Sequence, residues 1–124
     1  MSVHYTSIYA DMDGISHFRD VEIDFGETVI GPGIPALKTT APFPTDTGYF
    51  LAFQPGISID WHPAPRRLFH FFLAGQCEVT TADGEIRTFG AGDIVLAEDT
   101  TGKGHITRNP GTDETRMAVV AIRE

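Results

Sequence analysis

Glycine and proline cut this chain into pieces too short to be helices. Its 13 Gly and 8 Pro are spread through 124 residues as punctuation rather than gathered in a tail. The runs between them are rich in Val, Ile, Phe, Tyr and Thr, side chains that suit a pleated, half-buried surface. Ten runs read as strands: Tyr5–Ala10, Phe18–Phe25, Gly48–Phe53, Ile57–His62, Leu68–Ala74, Cys77–Ala82, Ile86–Phe89, Ile94–Ala97, Gly104–Arg108 and Met117–Ile122. No window of about 11 residues or more keeps a helical period. Many short strands closed by turns in so small a chain predict an all-β sandwich or barrel.

Composition narrows the function. Nine basic and 17 acidic residues give a net charge of −8, which argues against nucleic acid or an anionic membrane as partner, since both need a basic footprint. No apolar run approaches the ~20 residues of a membrane span. Cys77 is the single cysteine, so no disulfide can form within the chain. With no basic start or apolar stretch after Met1, a reducing cytoplasm is the expected location. One domain over 1–124 is expected, with strands and an arm in 1–47 and the barrel core in 48–124.

Turn chemistry orders the strands. Asp83-Gly84 predicts a two-residue hairpin, and Gly90-Ala91-Gly92-Asp93 a second turn. Gly31–Pro44 carries Pro32, Pro35, Pro42 and Pro44 and cannot be a central strand, because each proline removes a ladder donor. Its length suggests a binding loop or an arm that packs on a partner. Glu98–Gly104 is a polar loop between two strands.

The residues with chemistry gather in Gly56–Gly75 and in the Glu98–Gly104 loop. Strand alternation puts Asp60, His62 and Ala64 on one face, with Ile59 and Trp61 on the other. If Ala64 lies opposite Leu68 across the Pro63–Arg67 bend, His62 faces His70, with Cβ atoms about 4.5–5.5 Å apart. Two such imidazoles share a metal, a water or a ligand, and a one-residue slip undoes the arrangement.

These segments resemble the cupin superfamily. Gly56, five residues, His62, then Gly75 follow the spacing of the first cupin motif, with Ala64 in the second His position and Leu68 in the Glu position. Gly92-Asp93 opens the second motif; Glu98 stands where Pro is usual, and His105 and Asn109 close it after a loop two residues longer than the pattern. Asp60-Trp-His-Pro-Ala-Pro-Arg-Arg, Glu98-Asp-Thr-Thr-Gly-Lys-Gly-His105 and Asp11-Met-Asp-Gly-Ile-Ser-His17-Phe18 are similar to a group of small single-domain bacterial cupins with no assigned reaction. The resemblance implies a jelly-roll barrel, a homodimer in which an N-terminal strand or the Pro-rich segment crosses the interface, and a pocket that takes a small organic molecule. Cupin metalloenzymes bind Fe, Mn, Ni, Zn or Cu through two His and a Glu of the first motif and a His of the second. Here only His62 and His105 of that set are present.

His70, counted by two from Leu68, also points inward, so His62, His70 and His105 could form a three-imidazole metal site. The alternative is a core imidazole bonded to Asp60 or a backbone carbonyl. Asp60 beside His62 suits a general base, or else pairs structurally with Arg66 or Arg67. Arg66 could clamp a carboxylate or phosphate at the mouth, or form a surface ion pair. Lys103 could add a contact from the loop. Tyr49 or Phe50 must face inward, and Phe72 with His70, giving an aromatic wall. His17 is expected at a surface or interface and Cys77 in the core; His4 is assigned nothing.

The functions these features imply are an enzyme acting on a small organic substrate, as an oxygenase, isomerase or lyase, metal-assisted or using His62, His105 and Asp60 as acid and base. The alternative is a non-catalytic ligand-binding or sensor cupin that has lost the metal site.

Overall fold

The computed structural model describes residues 1–124. Twelve strands run in order β1 (Ser2–Ala10), β2 (Ser16–Asp24), β3 (Gly26–Thr28), β4 (Leu37–Thr39), β5 (Thr45–Phe53), β6 (Ser58–His62), β7 (Leu68–Ala74), β8 (Gln76–Thr80), β9 (Ile86–Gly90), β10 (Ile94–Ala97), β11 (His105–Arg108) and β12 (Thr115–Ile122). No helix is long and apolar enough to cross a membrane.

The strands form a six-stranded sheet, β2-β1-β10-β7-β12-β5, a four-stranded sheet, β6-β11-β8-β9, and the small pair β3-β4. All ladders are antiparallel except β1 with β10. Alternation along the strands decides what fills the space between the sheets. In β12, Met117, Val119 and Ala121 turn inward; in β7, Leu68 and Phe72 do so, and in β8, Cys77 and Val79. Phe72 stacks on Phe89 from the opposing sheet, with ring centroids 5.9 Å apart. The other parity of β7 faces outward. Phe69, Leu96 and Ile122 are buried there, with Tyr5, Phe71, Ile94 and Val120 packed around them.

One turn expectation is corrected. The β8–β9 hairpin forms, but Thr81 N–H bonds to the Glu85 carbonyl at 3.0 Å, so its loop is Ala82-Asp83-Gly84, one residue longer than the two-residue turn expected. Gly84 takes φ +93°, and Thr81 Oγ1 donates to the Asp83 carboxylate at 2.6 Å, which favours the longer loop. The proline-rich segment is no central strand, yet Leu37–Thr39 within it does pair, with Gly26–Thr28 alone. Past that pair the chain returns to the barrel, and Phe43 lies against Phe69 on the outer face, 5.0 Å between ring centroids.

Candidate functional site

A cavity of about 140 Å³ lies between the sheets, and 10 of its 14 lining residues are hydrophobic. His62, His70 and His105 are its three imidazoles, beside Thr107 and Cys77. Leu51, Phe53, Ile59 and Phe72 are among the apolar walls. No Arg, Lys, Asp or Glu lines it. A wider groove of about 580 Å³ on the outside includes His4, Asp20, Glu22 and Arg87, but Arg87 is already paired with Asp20 and Glu85 at 2.7 Å each.

The expected register of His62 against His70 is overturned. β6 pairs with β11, so His62 lies opposite His105, while His70 in β7 lies between Val95 of β10 and Val119 of β12. The bend at Pro63–Arg67 is a crossing between sheets and not a hairpin. The His62 and His105 rings sit 4.5 Å apart at 57°.

A bulge corrects the expected place of Asp60. The β6–β11 register shifts between His105 and Thr107, so that Thr107 lies opposite Ile59. Ile59 and His62, three residues apart, therefore both face the cavity, as expected when an extra residue breaks strand alternation. Asp60 is exposed and its carboxylate accepts from the Trp61 N–H at 2.8 Å. Only its backbone serves the site: His62 Nδ1 donates to the Asp60 carbonyl at 2.7 Å.

The carboxylate partner comes instead from Asp99. It is fully buried, and its Oδ2 accepts from His105 Nδ1 at 2.6 Å. The Asp99 carbonyl accepts from the Ala64 N–H at 3.1 Å, tying the loop to the segment after His62. Asp99 was legible only as one of two acids in a polar loop; nothing in its spacing to His105 distinguished it from Glu98. Glu98 turns outward to Ser7 (2.5 Å) and Arg67 (3.1 Å). Asn109 closes the motif structurally, donating to the carbonyls of Phe53 and Asp113.

With both Nδ1 atoms engaged, Nε2 is the free nitrogen on His62 and on His105. His70 differs: its Nδ1 is buried without a partner, and burial pushes the imidazole down to about 4, so it is neutral at pH 7. Burial likewise pushes the Cys77 thiol up to about 12, which leaves it an inert core side chain.

The remaining expected ligand contacts divide. Phe72 lines the cavity. Tyr49 shares its strand face with Leu51 and Phe53 but lies outside the lining and is half exposed. Arg66 is held by Asp46 and the Ile122 carbonyl, and Lys103 sits over the Trp61 ring at 3.8 Å; neither reaches the cavity.

The donors do not complete a cupin metal centre. Ala64 and Leu68 are buried apolar side chains, and no group of three or more His, Cys, Asp or Glu side chains is placed to hold an ion. His62, His70 and His105 share the cavity without converging on one point.

Two facing sheets with inward histidines define a small jelly-roll barrel with a cavity between them. The chain belongs to the cupin family: the Cupin domain model (Cupin_2) matches residues 49–121. Solved structures agree in fold. A Cupin 2 conserved barrel protein from Salinispora arenicola is similar at 24% identity and TM-score 0.52, over 82% of this chain and 76% of that one. The Cnp3 cupin domain of Schizosaccharomyces pombe is similar at 12% identity and TM-score 0.51, over 98% and 84%. A conserved Streptococcus pyogenes protein of unknown function matches at 19% identity and TM-score 0.50, over 62% of this chain and 63% of that one's length. No curated protein matches the chain.

Proposed function

We propose that this cupin is an enzyme that moves a proton on a compact, uncharged organic molecule, with His105 and His62 as the acid–base pair. One observation carries the reading: two imidazoles 4.5 Å apart, one oriented by a buried carboxylate, open on a mostly apolar cavity with no cationic side chain. A carboxylate or phosphate substrate would find no guanidinium or ammonium there, which favours a neutral body. A bound carbonyl compound with an acidic C–H gives its proton to one Nε2, and the other ring, protonated, returns a proton at oxygen or a neighbouring carbon. That is the chemistry of an isomerase. Where the substrate carries a β-hydroxyl, the carbanion's electron pair forms the double bond, the C–O bond breaks and the second proton leaves with the hydroxyl as water, which is the chemistry of a lyase.

Ala64 and Leu68 in place of metal ligands favour a second reading, a binder without catalysis. Ligand-detected NMR with a set of small neutral ketones, enones and phenols, followed by solvent deuterium exchange into the bound compound, separates the two. Binding with exchange that is lost in His105→Ala supports the enzyme; binding without exchange supports the binder. Stoichiometric Zn, Fe, Mn, Ni or Cu in untagged protein, with exchange abolished by a chelator, overturns metal-independent chemistry in favour of metal assistance.

A further inference from the structure

The spacing of the two imidazoles is set from outside the cavity. Gly104 precedes His105 in a left-handed conformation, φ +78°, and packs so closely on His62 that a Cβ there would overlap the His62 carbonyl. The plane of the Gly104 peptide therefore fixes where His105 starts and how near it lies to His62. That peptide is held by Ser16, a fully buried residue opening β2. Its Oγ donates to the Gly104 carbonyl at 2.7 Å and accepts from the Ala82 N–H at 2.7 Å. One hydroxyl thus joins the loop that carries His105 to the β8–β9 turn, and both of its hydrogen-bonding roles are used.

We infer that Ser16 is a positioning residue, whose hydroxyl holds Gly104 against His62 and so sets the separation of His62 and His105. The inference rests on reading these imidazoles as the working pair. A buried serine serving two loop backbones contributes more than packing: truncation leaves a carbonyl and an N–H without a partner, and the Gly104 peptide relaxes toward other donors.

Histidine side-chain ¹H–¹⁵N spectra of the full chain test this without a known substrate. Ser16→Ala is expected to displace the ring resonances of both His62 and His105. His17→Gln loosens the same strand end without touching Gly104 and is expected to leave them in place. Should the alanine variant fail to fold, Ser16→Cys, with a weaker donor, reads the same displacement. Unmoved rings in the Ser16 variant, or equal movement in His17→Gln, overturn the positioning role. Rings that move as expected in a protein showing no proton exchange leave Ser16 positioning intact and remove the acid–base reading instead.

Discussion

Asp99 and His105 form a buried pair, carboxylate Oδ2 to imidazole Nδ1 at 2.6 Å, at the edge of the barrel cavity. The second oxygen of Asp99, Oδ1, is buried without a partner, so the carboxylate's contact with His105 is its one side-chain hydrogen bond. A carboxylate in that place fixes the tautomer and the ring orientation of His105.

Asp99→Asn preserves shape but replaces that carboxylate with a neutral amide. Proton exchange into a bound compound is expected to fall by about 10–100-fold, the usual cost of losing an orienting carboxylate, while the thermal midpoint stays close to wild type. Exchange rates and a melting curve on the same sample check it. An unchanged rate would remove Asp99 from the machinery.

His70 makes stability depend on pH. Burial holds its folded pKa at about 4, against about 6.5 unfolded. Above the unfolded value both states are neutral there and the group contributes nothing. As pH falls through 6.5 toward 4 the unfolded chain takes up the proton first, and the fold loses about 3 kcal/mol. His70→Leu also removes the unpartnered Nδ1 and fills the site with apolar volume, so it is expected to flatten the curve between pH 6.5 and 4 and to cost little at pH 7.5. Urea unfolding at several pH values measures it.

Strand runs and motif spacing made the barrel legible, because period-2 alternation and turn glycines are local signals. The inward turn of His70 and Phe72 followed from counting by two along β7. The partner of His62 did not, because Pro63–Arg67 looks like a hairpin bend and is a crossing between sheets, a choice made by long-range pairing with β11. Asp60 was misplaced by the bulge, which is invisible until the facing strand is known. Asp99 lay in a loop, where no period says which acid turns inward. Proline content marked 31–44 as no central strand, but three-residue β4 inside that region and its partner β3 just before it were too short to read.

His17 is expected to titrate above its ordinary range. Its Nε2 lies 2.7 Å from Asp11 and its Nδ1 3.0 Å from Asp83; the bond to Asp11 is the main reason its pKa is raised, burial opposes it next, and Asp83 adds a smaller upward effect. Both ring nitrogens face acceptors, so the imidazolium clamps the β1–β2 turn to the β8–β9 turn. A raised folded pKa means the clamp's stability is full below the unfolded value near 6.5 and is lost as pH rises through the folded one. NMR titration of His17 should give a midpoint above the ordinary one in wild type, lowered in Asp11→Asn.

The free edge of β5 is proposed to pair with a second copy of the chain. β5 lies at the end of its sheet, and eight of its nine residues are exposed. Phe50 is 84% exposed and shares a groove of about 410 Å³ with Leu51, Leu73 and Met117. A long apolar edge without proline or lysine is a template for strand pairing, and a two-fold axis lets the same edge serve both copies. Light scattering at micromolar concentration should give twice the 13.5 kDa of one chain. Phe50→Lys places a charge on the shared edge and is expected to return the mass to that of one chain without lowering the monomer's own stability by more than about 0.5 kcal/mol, the usual range for a surface change. A wild type that already runs at the single-chain mass would show that the edge stands alone.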